Sequence, residues 1–156
     1  MSTTRTTLLQ GPKALHDTRL LQDTKVDVKI VLAGLWTSML FVFAYVDIFG
    51  FWRADVINGA LTREVPGVGF DINQTFLVGT TIYILIPSLM VVVSLLARSR
   101  VNRISNLVVS VVYAATVAVS VLGETWIYYL LGSGVEVLLL GAIARAAWTW
   151  PTRPTS

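Results

Sequence analysis

Four long apolar runs, at 29–52, 73–97, 104–122 and 125–148, decide what this chain can fold into. An α-helix rises about 1.5 Å per residue and the hydrocarbon core of a bilayer is about 30 Å thick, so roughly 20 apolar residues complete one crossing. Inside hydrocarbon every backbone N–H and C=O must pair within the protein, which for such runs means helix. Composition agrees, since only 13% of residues are charged where a soluble domain carries roughly 25%. The mean hydropathy is +0.70. The expected fold is an all-α membrane protein: a four-transmembrane-helix antiparallel bundle over 28–150, between a polar tail (1–27) and a short second tail (151–156).

Lys and Arg orient the bundle. Arg5, Lys13, Arg19, Lys25 and Lys29 precede the first run, Arg98, Arg100 and Arg103 lie between the second and third, and Arg145 and Arg153 close the chain. Only Arg53 and Arg63 lie on the other side. The positive-inside bias then places both termini in the cytoplasm, as an even number of spans requires. The first run is too long for a signal-peptide core and reads as a retained anchor. The basic balance, with a pI near 9.5, fits orientation and anionic lipid rather than nucleic acid.

Several chemistries are excluded. With no Cys and a single histidine, His16, in the polar tail, there is no thiolate metal site, no cysteine nucleophile and no buried His ligand for haem. No cofactor and no metal are expected. The link 122–125 is a tight turn that makes the third and fourth spans neighbours. The loop 53–70 contains a short interfacial helix, about Ala54 to Leu61, before a turn at Pro66–Gly69.

Small residues mark candidate packing faces: Ser110, Ala114 and Ala118; Gly34 and Ser38; Gly134 and Gly141. They serve either a compact bundle or contacts between copies. Trp52, Trp126, Trp148 and Trp150 fit an aromatic belt at headgroup depth, and Trp36 is grouped with them.

Glu136 is the most informative residue. It lies near the bilayer midplane, about 15 Å along the helix from Trp126, where a carboxyl must be neutral, paired or facing a hydrated cavity. Gly132, one turn earlier, would let a partner come close. Tyr113 on the neighbouring span is the expected hydrogen-bond partner of Glu136; the functional alternative is a proton- or ligand-binding carboxyl. Pro87, also near the midplane, strips the carbonyl of Tyr83 of its helical partner, and Ser88 or Thr81 are available to compensate. Asp47 lies about 8 Å below Trp52, with Arg53 a poor partner for it. Glu124 caps the turn into the fourth span, and Asn106 suits a helix–helix hydrogen bond.

The stretches Val26-Asp27-Val28-Lys29-Ile30 onward to Trp52, Ile86-Pro87-Ser88-Leu89-Met90 and Gly123-Glu124-Thr125-Trp126 resemble a group of small four-span bacterial integral membrane proteins known only as a domain of unknown function. The resemblance spans roughly residues 25–150 and implies a multi-pass protein of the plasma (inner) membrane, with no activity to carry over. The general shape also resembles the DoxX-like proteins. Small multidrug transporters share four short spans, but their essential acid lies in the first helix, and the deepest acid here lies in the fourth.

Two main readings follow. One is a structural, accessory or small-ligand-binding bundle, alone, as a homo-oligomer or within a larger membrane complex. The other is an oligomeric proton-coupled small-solute transporter or channel titrating at Glu136. A lipid- or quinone-binding enzyme is a third reading, weakened by the lack of buried His and Cys.

Overall fold

The computed structural model describes residues 25–65 and 69–150. His16 and the rest of the tail before Lys25, Pro66-Gly67-Val68 of the expected turn, and Arg153 lie outside the described residues. Five helices follow one another: α1 (Val28–Gly50), α2 (Ala54–Thr62), α3 (Gln74–Leu96), α4 (Ser99–Ser120) and α5 (Ile127–Trp148). α1, α3, α4 and α5 are each long and apolar enough to cross a membrane, and α2 is the short helix expected in the 53–70 loop. α4 begins at Ser99 instead of 104, because Arg100 and Arg103 are good helix formers and carry the helix beyond its apolar stretch.

Polar side chains fix the helix ends. The Asp27 carboxylate accepts the Lys29 N–H at 2.8 Å and Asn73 Oδ1 accepts the Phe76 N–H at 3.0 Å, each occupying a donor that the first helical turn leaves free. Cations close the opposite ends. Lys29 Nζ donates to the carbonyls of Leu95 and Ala97 at 3.3 and 2.9 Å, and Arg103 Nη2 to that of Trp148 at 3.4 Å. These are the carbonyls that carry the negative end of the helix dipole. The same bonds bring the starts of α1 and α4 beside the ends of α3 and α5. We call this the terminal end, and the end bearing α2 the loop end.

α1 packs along α3 and α5, and α5 along α4, while α3 touches α4 least. Leu32, Trp36 and Met39 of α1 are fully buried with Leu140 and Ile143 of α5. Only 11% of the most apolar stretch of α3, and 22% of that in each other span, is buried within the chain. So much exposed apolar surface is what helices lying in hydrocarbon present.

A buried polar network ties three helices together toward the terminal end. Asn106 Oδ1 accepts from Trp36 Nε1 at 2.6 Å and from Ser94 Oγ at 3.2 Å. Asn106 Nδ2 donates to Asn102 Oδ1 at 2.6 Å, and Asn102 Nδ2 to the Ser94 carbonyl at 2.6 Å. Asn106 therefore makes the helix–helix bond expected of it. Trp36 does not belong to the interfacial belt; its indole N–H is spent on Asn106 inside the bundle, whereas Trp52 and Trp148 are exposed.

The small-residue stripes divide: on α4 Ser110 is buried and Ala114 packs against the core, as a compact bundle requires, while the remaining members face outward. Gly34, Ser38, Ala118, Gly134 and Gly141 are exposed, and a Cβ placed on Gly34, Gly134 or Gly141 would meet nothing. The close approach falls on Gly132, where an added Cβ would collide with Val46 Cγ2.

Candidate functional site

Toward the loop end the four long helices separate around a partly open cavity of about 470 Å³. α1 contributes Phe43 and Asp47, α3 Phe76 and Tyr83, α4 Thr116, and α5 Glu136 to its lining. Tyr129 and Ser133 also line it; with Glu136 they form one face of α5 at helical spacing. That face was readable in the sequence, as was the Thr116/Ser120 pair on α4, but only Glu136 stands out without knowledge of the partner helices.

Glu136 is 3% exposed, and no hydrogen bond to its carboxyl forms among the described residues. Asp47, near the end of α1, lines the same cavity and is more exposed. No Lys or Arg is among the lining residues. Two carboxyl groups thus border one partly open space with no Lys or Arg in its lining, an arrangement costly in a low-dielectric setting unless water or another group enters.

The expected pairing of Glu136 with Tyr113 is not formed. The Tyr113 hydroxyl donates instead to the Tyr83 carbonyl at 2.5 Å, the one that Pro87 deprives of its helical N–H. Ser88 and Thr81 do not perform that repair: their hydroxyls donate to the carbonyls of Ile84 and Leu77 at 2.9 and 2.8 Å. The reason is reach, since both close onto the carbonyl four residues back on their own helix, and Tyr113 arrives from α4. Its ring stacks on that of Tyr83, with centroids 4.7 Å apart, and the Tyr83 hydroxyl hydrogen-bonds Thr116 Oγ1 at 2.7 Å. Pro87 is buried beside Met39 and Tyr113 with no space for water, so it does not line the cavity. Neither does Gly132, whose lack of a side chain instead lets α1 press against α5 through Val46. Of the six candidate residues, Glu136, Asp47 and Tyr83 share the cavity, while Tyr113, Pro87 and Gly132 support its walls.

Beyond the cavity, one cluster of paired charges lies at the loop end. Arg53 bridges Asp55 at 2.6 Å and Glu124 at 2.9 Å, and its guanidinium lies 4.9 Å from the centroid of the Trp126 ring. Glu124 Oε1 also accepts the N–H groups of Thr125 and Trp126 at 2.8 and 3.0 Å, capping the approach to α5 as expected. Burial pushes the Glu124 carboxyl up, but the Trp126 N–H and the Arg53 guanidinium outweigh it and hold it below the usual glutamate range. Arg53 likewise holds Asp55 below the usual aspartate range. Arg53 is thus committed to these two acids and not to Asp47.

Among the described residues no group of three or more His, Asp or Glu side chains is placed to hold a metal ion. No curated protein and no solved structure matches the chain. The family of unknown function DUF6326 matches it over residues 21–154, and by that match this four-span chain belongs to the family.

Proposed function

We propose that this protein is an antiparallel four-span bundle of the plasma membrane, with both termini cytoplasmic, that binds a small ligand carrying a positive charge or hydrogen-bond donors. The observation that carries this reading is the 470 Å³ cavity with Glu136 and Asp47 in its lining and no basic side chain beside them. Its volume falls in the range of about 300–1,000 Å³ usual for small-molecule sites. Four aromatic rings, of Phe43, Phe76, Tyr83 and Tyr129, share the lining with the acids; this combination suits a cation with an apolar part.

The test uses benzyltrimethylammonium and the purified full chain in lipid nanodiscs. A bound ligand raises thermal stability in proportion to the logarithm of its concentration over Kd, by about 2.7 kcal/mol at a hundredfold excess. The probe should stabilise the wild type and fail to stabilise the double variant Asp47→Asn, Glu136→Gln. Equal stabilisation of both would refute the assignment of these acids.

A second reading is a proton-coupled small-solute transporter or channel built from two or more copies. It is favoured by Gly134 and Gly141, which leave an uncrowded strip on the outer face of α5 where another helix can approach closely. Proton flux into proteoliposomes that survives Glu136→Gln would eliminate it.

A further inference from the structure

Outside the bundle a second concavity, about 710 Å³ and wide open, runs along the loop-end half of α3. Its lining includes Asp71 and Asn73 ahead of the helix, Gly79 and Thr80 on it, and two residues that also line the interior cavity, Phe76 and Tyr83. Those two side chains, seven residues apart and so on one helix face, are the wall between groove and cavity.

The seam beside that wall is the thinnest of the four main helix pairings, α3 touching α4 far less than it touches α1. Near mid-depth two hydrogen bonds hold it: Tyr83 hydroxyl with Thr116 Oγ1 at 2.7 Å, and Tyr113 hydroxyl to the Tyr83 carbonyl at 2.5 Å. The second supplies the Tyr83 carbonyl with the donor that Pro87 denies it. Helix α3 therefore lacks an internal hydrogen bond at the level where it is fastened to α4, the kind of position at which helices bend. Acids continue the path inward, with Asp71 in the groove and Asp47 and Glu136 in the cavity.

We propose that the ligand is a membrane-soluble organic cation that reaches the cavity sideways from the bilayer, along the α3 groove and past Phe76 and Tyr83 at the α3–α4 seam. This rests on the ligand-binding reading above and adds the class of ligand and its route. A water-filled mouth would not need a groove on the lipid-facing side of α3, and a strongly hydrated inorganic ion would gain little from the aromatic wall. An apolar cation partitions into the headgroup region beside Asp71 and exchanges lipid contacts for aromatic faces and two carboxylates.

The experiment measures tetraphenylphosphonium binding to the full chain in nanodiscs, at equilibrium and by stopped flow, with tetraphenylborate as the control of equal shape and opposite charge. Gly79→Trp fills the groove from an exposed position where an added Cβ meets nothing within 4 Å, and Gly79 is not a cavity residue; an unchanged melting temperature of the variant checks that the fold is kept. The expected result is at least tenfold slower association and dissociation in Gly79→Trp, with Kd within about twofold of wild type. The pair Tyr83→Phe and Thr116→Val, which removes the latch, should accelerate both rates. Tetraphenylborate should not bind.

Unchanged rates in Gly79→Trp, with benzyltrimethylammonium still protecting the wild type, would overturn the lateral route and leave the site standing. Equal binding of tetraphenylborate would overturn the cation assignment. If neither cationic probe binds the wild type, the site and the route fall together.

Discussion

Around Trp36 and Asn106 each buried polar side chain has its partner, through a chain of bonds that ties α1, α3 and α4. Toward the loop end the same helices enclose a cavity bordered by Glu136 and Asp47, and the Glu136 carboxyl has no such partner among the described residues. Both regions place polar groups among apolar ones. Asn and Ser are neutral and satisfy one another; the two carboxyl groups border the cavity where the proposed ligand would bind. The contrast is between polar groups that bond one another within the fold and carboxyl groups that face a cavity.

Replacing Asn106 tests that contrast most severely. Asn106→Leu leaves the Trp36 indole N–H and the Ser94 hydroxyl without their acceptor, and should lower unfolding free energy in detergent by about 1–3 kcal/mol. Glu136→Leu should act in the opposite direction: removing a carboxyl from membrane depth should stabilise the bundle by about 1–2 kcal/mol, below the insertion cost of such a group. A large loss in Glu136→Leu would mean that the two regions do not differ in kind. Tyr113→Phe uncovers the Tyr83 carbonyl, and a loss of about 1 kcal/mol is expected by chemical unfolding.

The smallest effect belongs to the Arg53–Glu124 pair, at about 0.2–1 kcal/mol. Glu124 titrates below its ordinary value of 4.5 when folded, so its contribution is complete above that value and is lost as pH falls through the lowered folded value. Thermal melts of wild type and Glu124→Gln between pH 7 and roughly pH 3 should therefore converge at the acid end.

The spans, the short helix at 54–62 and the tight turn at Gly123 (φ +84°) were legible in the sequence, because length, hydropathy and turn chemistry are local. So was the orphaned carbonyl at Tyr83, since proline's effect on the residue four back needs no tertiary knowledge. Its partner was not. Tyr113 and Glu136 lie on neighbouring helices at similar depth, and only the rotation of each helix decides which group meets which. Rotation was equally decisive for Gly134 and Gly141, which point outward, and for Gly132, which meets Val46. The hydropathy of a membrane helix is too uniform around its circumference to announce that rotation. The cavity was illegible for the same reason: it needs four helices at once.

Lys29 and Arg103 belong to the set of charges from which the orientation was read, and they also hold the carboxyl ends of α3 and α5. Under the proposed orientation, insertion and assembly draw on the same two side chains. A chain inverted by relocating these positive charges would arrive with two helix ends uncovered, so a topology-swapped variant would be expected to misassemble even if every span still enters the bilayer.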